Sequence, residues 1–199
     1  MFEKVVWSTP PPPSIGGGVA IVGTTARTVL ADCRITGNLN AYFAGGVFIE
    51  TAGGGSVELV RCTIEDNVAG VGIGAPAFLG GGALIDGTAR LVACRIARNE
   101  VRGAGSFQIS AIVAGGGLWV DGDVELENCA IVLNRCVGLT TLPYQRCFGG
   151  GLYAREGPGT ALRLRNTLVA CNACVDGVIN PGSGLYVGAN ATATLENCT

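Results

Sequence analysis

Gly115–Asn134, GGGLWVDGDVELENCAIVLN, holds the pattern from which the rest of the chain can be read. It consists of a glycine run, an alternating apolar strand, a turn, a second strand that ends at a cysteine, and a short third segment that ends at an asparagine. Sliding this template along the 199 residues finds the glycine element again at Gly16-Gly17-Gly18, Gly45-Gly46, Gly80-Gly81-Gly82, Gly149-Gly150-Gly151 and Gly182-Ser183-Gly184. The last glycine of each lies 28 to 36 residues before the next, the signature of an internal repeat.

Other positions keep the same register. A leucine precedes a cysteine by three at Leu30/Cys33, Leu59/Cys62, Leu91/Cys94, Leu126/Cys129 and Leu195/Cys198, with Leu164/Thr167 as the one departure. Five residues past the first four of those cysteines and past Thr167 stand Asn38, Asn67, Asn99, Asn134 and Asn172. After the glycines, Val19/Ile21, Val47/Ile49, Ala83/Ile85, Leu118/Val120, Leu152/Ala154 and Leu185/Val187 alternate with period two and should point inward. No unit has a helical period, and about three short strands cannot bury a face alone. Stacking each coil on the next, about 4.8 Å apart, solves both problems. The expected fold is therefore all-β, a parallel β-helix of about six coils over residues 15–199 and incomplete at its C-terminal end. Residues 1–14, with Pro10 to Pro13, form a separate extended lead. The last unit stops after Leu195-Glu196-Asn197-Cys198-Thr199, which implies a longer array or a cap.

The motifs GGGL(W/Y)V, LxNC and (I/V)xxN resemble the repeats of right-handed parallel β-helix proteins of the pectin-lyase-like superfamily. They are most similar to the GGG(I/L)Y and NCxIxxN repeats of bacterial surface proteins and of the polymorphic outer-membrane proteins of chlamydiae. The resemblance implies a secreted or cell-surface location and, for one branch of the superfamily, polysaccharide lyase or hydrolase activity. The start, MFEKVVWSTPPPPS, does not look like a signal peptide.

Composition narrows the function. A net charge of −2 argues against nucleic acid as a partner. Histidine is absent, which removes histidine-dependent triads and most zinc sites. The uncharged windows Val68–Ile85 and Gly103–Val120 carry the repeat glycines in register, so neither is expected to span a membrane.

Read as columns, the repeats give candidate sites. Val29, Glu58, Arg90, Glu125, Arg163 and Thr194 form an outward column that alternates in charge over four coils. Asn38, Asn67, Asn99, Asn134 and Asn172 form a structural amide ladder, and Cys33, Cys62, Cys94 and Cys129 a stack of buried thiols too parallel for disulfides. The pairing of Cys136, Cys147, Cys171 and Cys174 is left open by the sequence. A Cys136–Cys147 bridge is conceivable, and the lone Cys171/Cys174 pair lacks the partners of a zinc site.

Two outward columns carry the functional expectation. Phe48, Leu84, Trp119, Tyr153 and Tyr186 form an apolar and aromatic stripe; it lies under the protein's own loops, binds a protein partner, or stacks against sugar rings. Beside it, Glu50, Asp86 and Asp121 bring three carboxylates together with Arg155 on the next coil, the residues available to a calcium-dependent lyase. Those acids are also the weak calcium candidate. The mid-chain loops are unusually apolar, and Phe78, Phe107, Ile109, Ile112, Leu142 and Tyr144 are expected to meet a partner. The reading favoured by the sequence is a non-enzymatic scaffold or adhesin, without cofactor, that binds a protein partner or joins a larger assembly. A carbohydrate-binding module or polysaccharide lyase is the alternative.

Overall fold

A computed structural model of the chain describes residues 17–40, 43–70, 77–103, 112–138, 146–177 and 180–199. Among these residues every regular element is a strand, and every strand pairing is parallel. Coil four shows the plan, with strands at Leu118–Asp121, Asp123–Glu127, Ala130–Val132, Arg135–Val137 and Arg146–Phe148. Each belongs to a different sheet that runs along the stack. The first and second sheets have six strands, the third and fourth five, and the fifth three. The molecule is a parallel β-solenoid. About four turns are complete, against the six coils expected, and end rungs on either side bring two of the sheets to six strands. Among the described residues no helix is long and apolar enough to cross a membrane.

The glycine triplet sets the coil spacing. Gly115 has φ +68°, a left-handed turn position. A side chain on Gly116 would lie 2.3 Å from the Gly150 carbonyl oxygen, and one on Gly117 2.9 Å from the Asn134 amide nitrogen. The first position needs an unusual backbone and the other two need empty space. Coil two shows the separation: Ala44 takes the left-handed position with φ +51°, so only Gly45 and Gly46 remain of the triplet. Ser183 replaces the middle glycine on the last described rung, where the described chain places no further coil against it.

Register follows the columns read from the sequence. Val29 pairs with Glu58, Glu58 with Arg90, Arg90 with Glu125, Glu125 with Arg163, and Arg163 with Thr194. Arg90 reaches Glu58 at 3.2 Å and Glu125 at 3.3 Å. These pairs face solvent, which screens them, and each contributes little to stability. The inward residues of the first strand, from Val47 and Ile49 to Leu152 and Ala154, join Leu59, Leu91, Leu126 and Leu164 in one continuous apolar core.

The asparagine ladder lies inside the wall. Each Asn Nδ2 donates to the Asn Oδ1 of the following coil, at 2.8 Å from Asn38 to Asn67 and 3.0 Å for the next three steps. The second amide proton of Asn67, Asn99, Asn134 and Asn172 goes back to the carbonyl of Ile35, Ile64, Ile96 and Ile131. Each ladder oxygen also accepts the backbone N–H of the preceding asparagine, so every step joins two coils by three hydrogen bonds.

The thiol column has a parallel logic. Cys62, Cys94 and Cys129 each point S–H at the carbonyl oxygen of Leu30, Leu59 and Leu91 on the preceding coil, all at 3.3 Å. Thr167, the departure in this column, donates its hydroxyl to Arg165 O at 3.0 Å, lies 3.4 Å from Leu126 O, the carbonyl a cysteine there would meet, and accepts the Cys129 backbone N–H at 3.4 Å. Cys198 resumes the thiol contact, with Leu164 O.

Candidate functional site

The aromatic stripe is in register: Phe48 pairs with Leu84, Leu84 with Trp119, Trp119 with Tyr153, and Tyr153 with Tyr186. Four of its five residues are covered, and Tyr186 on the last described rung is half-buried. Phe48, Leu84, Trp119 and Tyr153 are buried, Trp119 at 8% exposure. They form a cluster with Ala44 and Ala114, edged by Phe43, Leu79 and Phe148. Leu79, Ala114 and Phe148 are the last residues of the fifth-sheet strands, so the chain folds back over its own stripe just before each glycine turn. Tyr153 and Tyr186 stack with ring centroids 5.4 Å apart and planes 2° apart, and Phe148 tilts against both. Burial, followed by the nearby Glu156 charge, raises the Tyr153 pKa above its usual value. Of the three expectations for this stripe, the contacts match cover by the protein's own segments; a sugar ring would find no free face on Trp119.

The loop residues divide similarly. Phe78 is fully buried, a correction to its expected place on a partner surface. It packs with Ala69, Val101, Val113, Cys136 and Cys147 in a second core between the fourth and fifth sheets. The strand alternation explains this: in Ala77–Leu79 and Ile112–Ala114 the middle residue points into the second core and the last onto the stripe. Ile112 stays 37% exposed. Phe107, Ile109, Leu142 and Tyr144 lie outside the described residues, as does the lead 1–14.

The acidic column is assembled as expected. Glu50 pairs with Asp86 and Asp86 with Asp121. Arg155 forms an ion pair with Asp121, and Thr160 Oγ1 donates to the other Asp121 oxygen at 3.1 Å. Asp86 has no such partner among the described contacts. Partial burial, then the Asp121 and Glu50 charges, push its carboxyl above the usual aspartate range, against a smaller opposing pull from Arg155. The column can hold like charges at the turn between the first and second sheets, with one arginine balancing one end. Among the described residues no group of three or more ligating side chains converges closely enough to hold a metal ion.

All nine cysteines are free thiols. Cys136 and Cys174 stack as register partners, and Cys147 lies in a strand and is buried in the second core as a free thiol. Cys171 is exposed at a left-handed turn position while Cys174 turns toward that core, so the two thiols of this pair do not face a common site.

One surface feature went unread in the sequence. On the first three coils the outer face of the third sheet is ionic, with Glu65 held by Arg34 and Arg98, both at 2.7 Å. On coils four and five the equivalent positions become Ala130, Val132, Leu168 and Ala170, and the adjoining turn residue becomes Leu133. Leu133 and Leu168 are 48% and 41% exposed. The columns Arg34, Thr63, Arg95, Ala130, Leu168 and Gly37, Asp66, Arg98, Leu133, Cys171 carried that signal, a change from charged to apolar along a fixed position. Comparison with family models, curated proteins and solved structures returns no match.

Proposed function

We propose that this protein is a non-enzymatic scaffold that binds a protein partner, as a subunit of a larger assembly or on a cell surface. In this reading it belongs with the right-handed β-helix repeat proteins of the pectin-lyase-like superfamily. The observation that supports it is the change of the third sheet's outer face from ion-paired to apolar, with Leu133 and Leu168 left exposed on a rigid wall. Exposed apolar groups on neighbouring coils lose water-contacting area when a partner covers them, at about 25 cal/mol per Å². Ile112 adds a further exposed apolar group on the fifth sheet. The test is affinity capture from the source organism with the wild-type chain and with Leu133→Ser/Leu168→Ser, both checked for fold by circular dichroism. A protein recovered by the wild type and lost by the variant supports the proposal. Equal recovery on both refutes it.

A second reading rests on Asp86. Its carboxyl sits between Glu50 and Asp121 with Arg155 one coil beyond; these acids do not converge into a metal site by themselves, so a divalent cation there would be shared with carboxylates of the substrate. Calcium-dependent cleavage of a polyuronate is the activity that fits this set. Incubation with polyuronates and calcium would release unsaturated products, detected by their ultraviolet absorbance. No such release at saturating calcium rejects the reading.

A further inference from the structure

On coils four and five the columns that cross the third-sheet face form matched pairs. Glu127 is in register with Arg165 where the second-sheet strands end. Asn128 and Asn166 follow at the corner, joined by a side-chain hydrogen bond of 3.2 Å. Ala130 is in register with Leu168 on the third sheet itself. At the next corner Leu133 stands beside Cys171, both at left-handed turn positions with φ +60° and +55°. Leu133, Leu168, Cys171 and both asparagines are exposed. From coil four to coil five, acid therefore becomes base, small becomes large, large becomes small, and amide stays amide.

We propose that a second copy of this chain covers this face, related by a two-fold axis between coils four and five that lies in the interface, perpendicular to the stack. The proposal rests on the reading of this face as a protein-binding surface and names its partner. Such an axis inverts the order of the coils and keeps the columns, so coil four of one copy meets coil five of the other. Glu127 then faces Arg165 of the second copy, and Arg165 faces its Glu127. Arg165 is open to this second pairing, since it is exposed and its own-chain contacts to Glu127 and Glu196 are long, 3.7 and 3.6 Å. Asn128 meets Asn166, and two amides can each donate and accept. Ala130 lies opposite Leu168 and Leu133 opposite Cys171, so each large side chain enters space left by a small one between sheets about 10 Å apart.

One operation satisfies all four columns, which is the self-complementarity an isologous dimer requires. An axis along the stack would instead set Leu133 against the amides of the opposite corner. Two coils make a small footprint beside the about 800 Å² per partner of a standard interface, so the dimer should be weak and concentration-dependent.

The test is sedimentation velocity of the full, reduced chain over a concentration series. The average mass should rise from one chain toward two. Leu168→Ser and Arg165→Glu, each checked for fold by circular dichroism, should weaken the dimer about tenfold or more, whereas Arg34→Ser on the ionic coils should leave it unchanged. Leu133→Cys sets a new thiol opposite Cys171 of the second copy, so oxidation by diamide should give covalent dimers at least about tenfold faster than from the wild type. Leu133→Cys/Cys171→Ser should lose that gain. A chain that stays monomeric at its highest soluble concentration overturns the proposal, and so does a dimer that Leu168→Ser leaves intact. If such a monomer still captures a different protein that Leu133→Ser/Leu168→Ser loses, only the identity of the partner falls. If it captures nothing that the variant loses, the protein-binding reading falls as well.

Discussion

Replacing Asn99, at the middle of the ladder, tests what holds one coil to the next. Its Nδ2 donates to Ile64 O at 2.9 Å and Asn134 Oδ1 at 3.0 Å, and its Oδ1 accepts from the backbone N–H of Asn67 at 3.1 Å and from Asn67 Nδ2 at 3.0 Å. Asn99 is fully buried, so no water replaces these partners. In Asn99→Ala the Asn67 backbone N–H loses its acceptor outright, and the Asn67 amide and Ile64 carbonyl each lose one contact. At about 1–3 kcal/mol for each buried group left unpaired, the cost is about 3–5 kcal/mol. That is a large fraction of the roughly 5–15 kcal/mol by which folded domains are stable. Asn38→Ala, at the first rung, removes a 2.8 Å bond to Asn67 and a 3.4 Å contact to Thr36, and should cost about 1–2 kcal/mol. Asn99→Asp keeps the shape but turns a donor into a second acceptor facing the Asn134 oxygen. At neutral pH it should be less stable than the alanine variant. Its carboxyl is raised in the folded state, so stability should return as pH falls and the acid protonates into a donor. Urea unfolding followed by far-ultraviolet circular dichroism measures all three. Equal costs for Asn38→Ala and Asn99→Ala, or an Asn99→Ala cost below about 1 kcal/mol, would refute a ladder whose strength comes from buried amides.

Three further outcomes follow from the columns. Asp86→Asn should stabilise the protein at pH 7 in low salt by about 0.5–1 kcal/mol, since one unit charge about 5 Å away repels by about 0.8 kcal/mol in water. Because the folded pKa of Asp86 lies above its unfolded value, the wild type regains that stability as pH falls through the folded pKa. The gap between the two proteins should therefore close in acid, and a gap that widens there contradicts the assignment. Thr167→Cys should be nearly neutral in a denaturation curve because cysteine fills this position on the other five coils, whereas the isosteric Thr167→Val should cost about 1–2 kcal/mol by removing the hydroxyl that donates to Arg165 O and accepts the buried Cys129 N–H. Trp119→Ala should destabilise by about 3–5 kcal/mol, the cost of emptying a packed site; a variant as stable as the wild type would show that the ring is not covered.

The repeats made the stack legible because a parallel solenoid places equivalent residues one above another. The position of Arg90 between Glu58 and Glu125 and the whole asparagine ladder followed from counting along Gly115–Asn134 and its copies. Thr167 broke the cysteine pattern on paper and not in space, since its hydroxyl lies beside the same carbonyl. The sites were less legible. Glu50, Asp86 and Asp121 stack as the columns implied, but that Asp121 is neutralised by Arg155 and Thr160 while Asp86 is not depends on side-chain directions at a turn. The stripe through Trp119 was placed on the correct face of its strand and yet proved to be interior.

By itself, the sequence determined the coil: which residues face the axis, which face away, and which neighbours share a column. Those properties depend on period and register, and both are written locally in every unit. Only the tertiary structure decided what lies above the outward columns. The segments that return before each glycine turn vary in length and have no repeat of their own. Their path, which buries Phe78 in a second core and lays Leu79, Ala114 and Phe148 over the aromatic stripe, is set by contacts between residues distant in the sequence. Outward on a strand means away from one core; whether it also means toward water depends on where the rest of the chain goes.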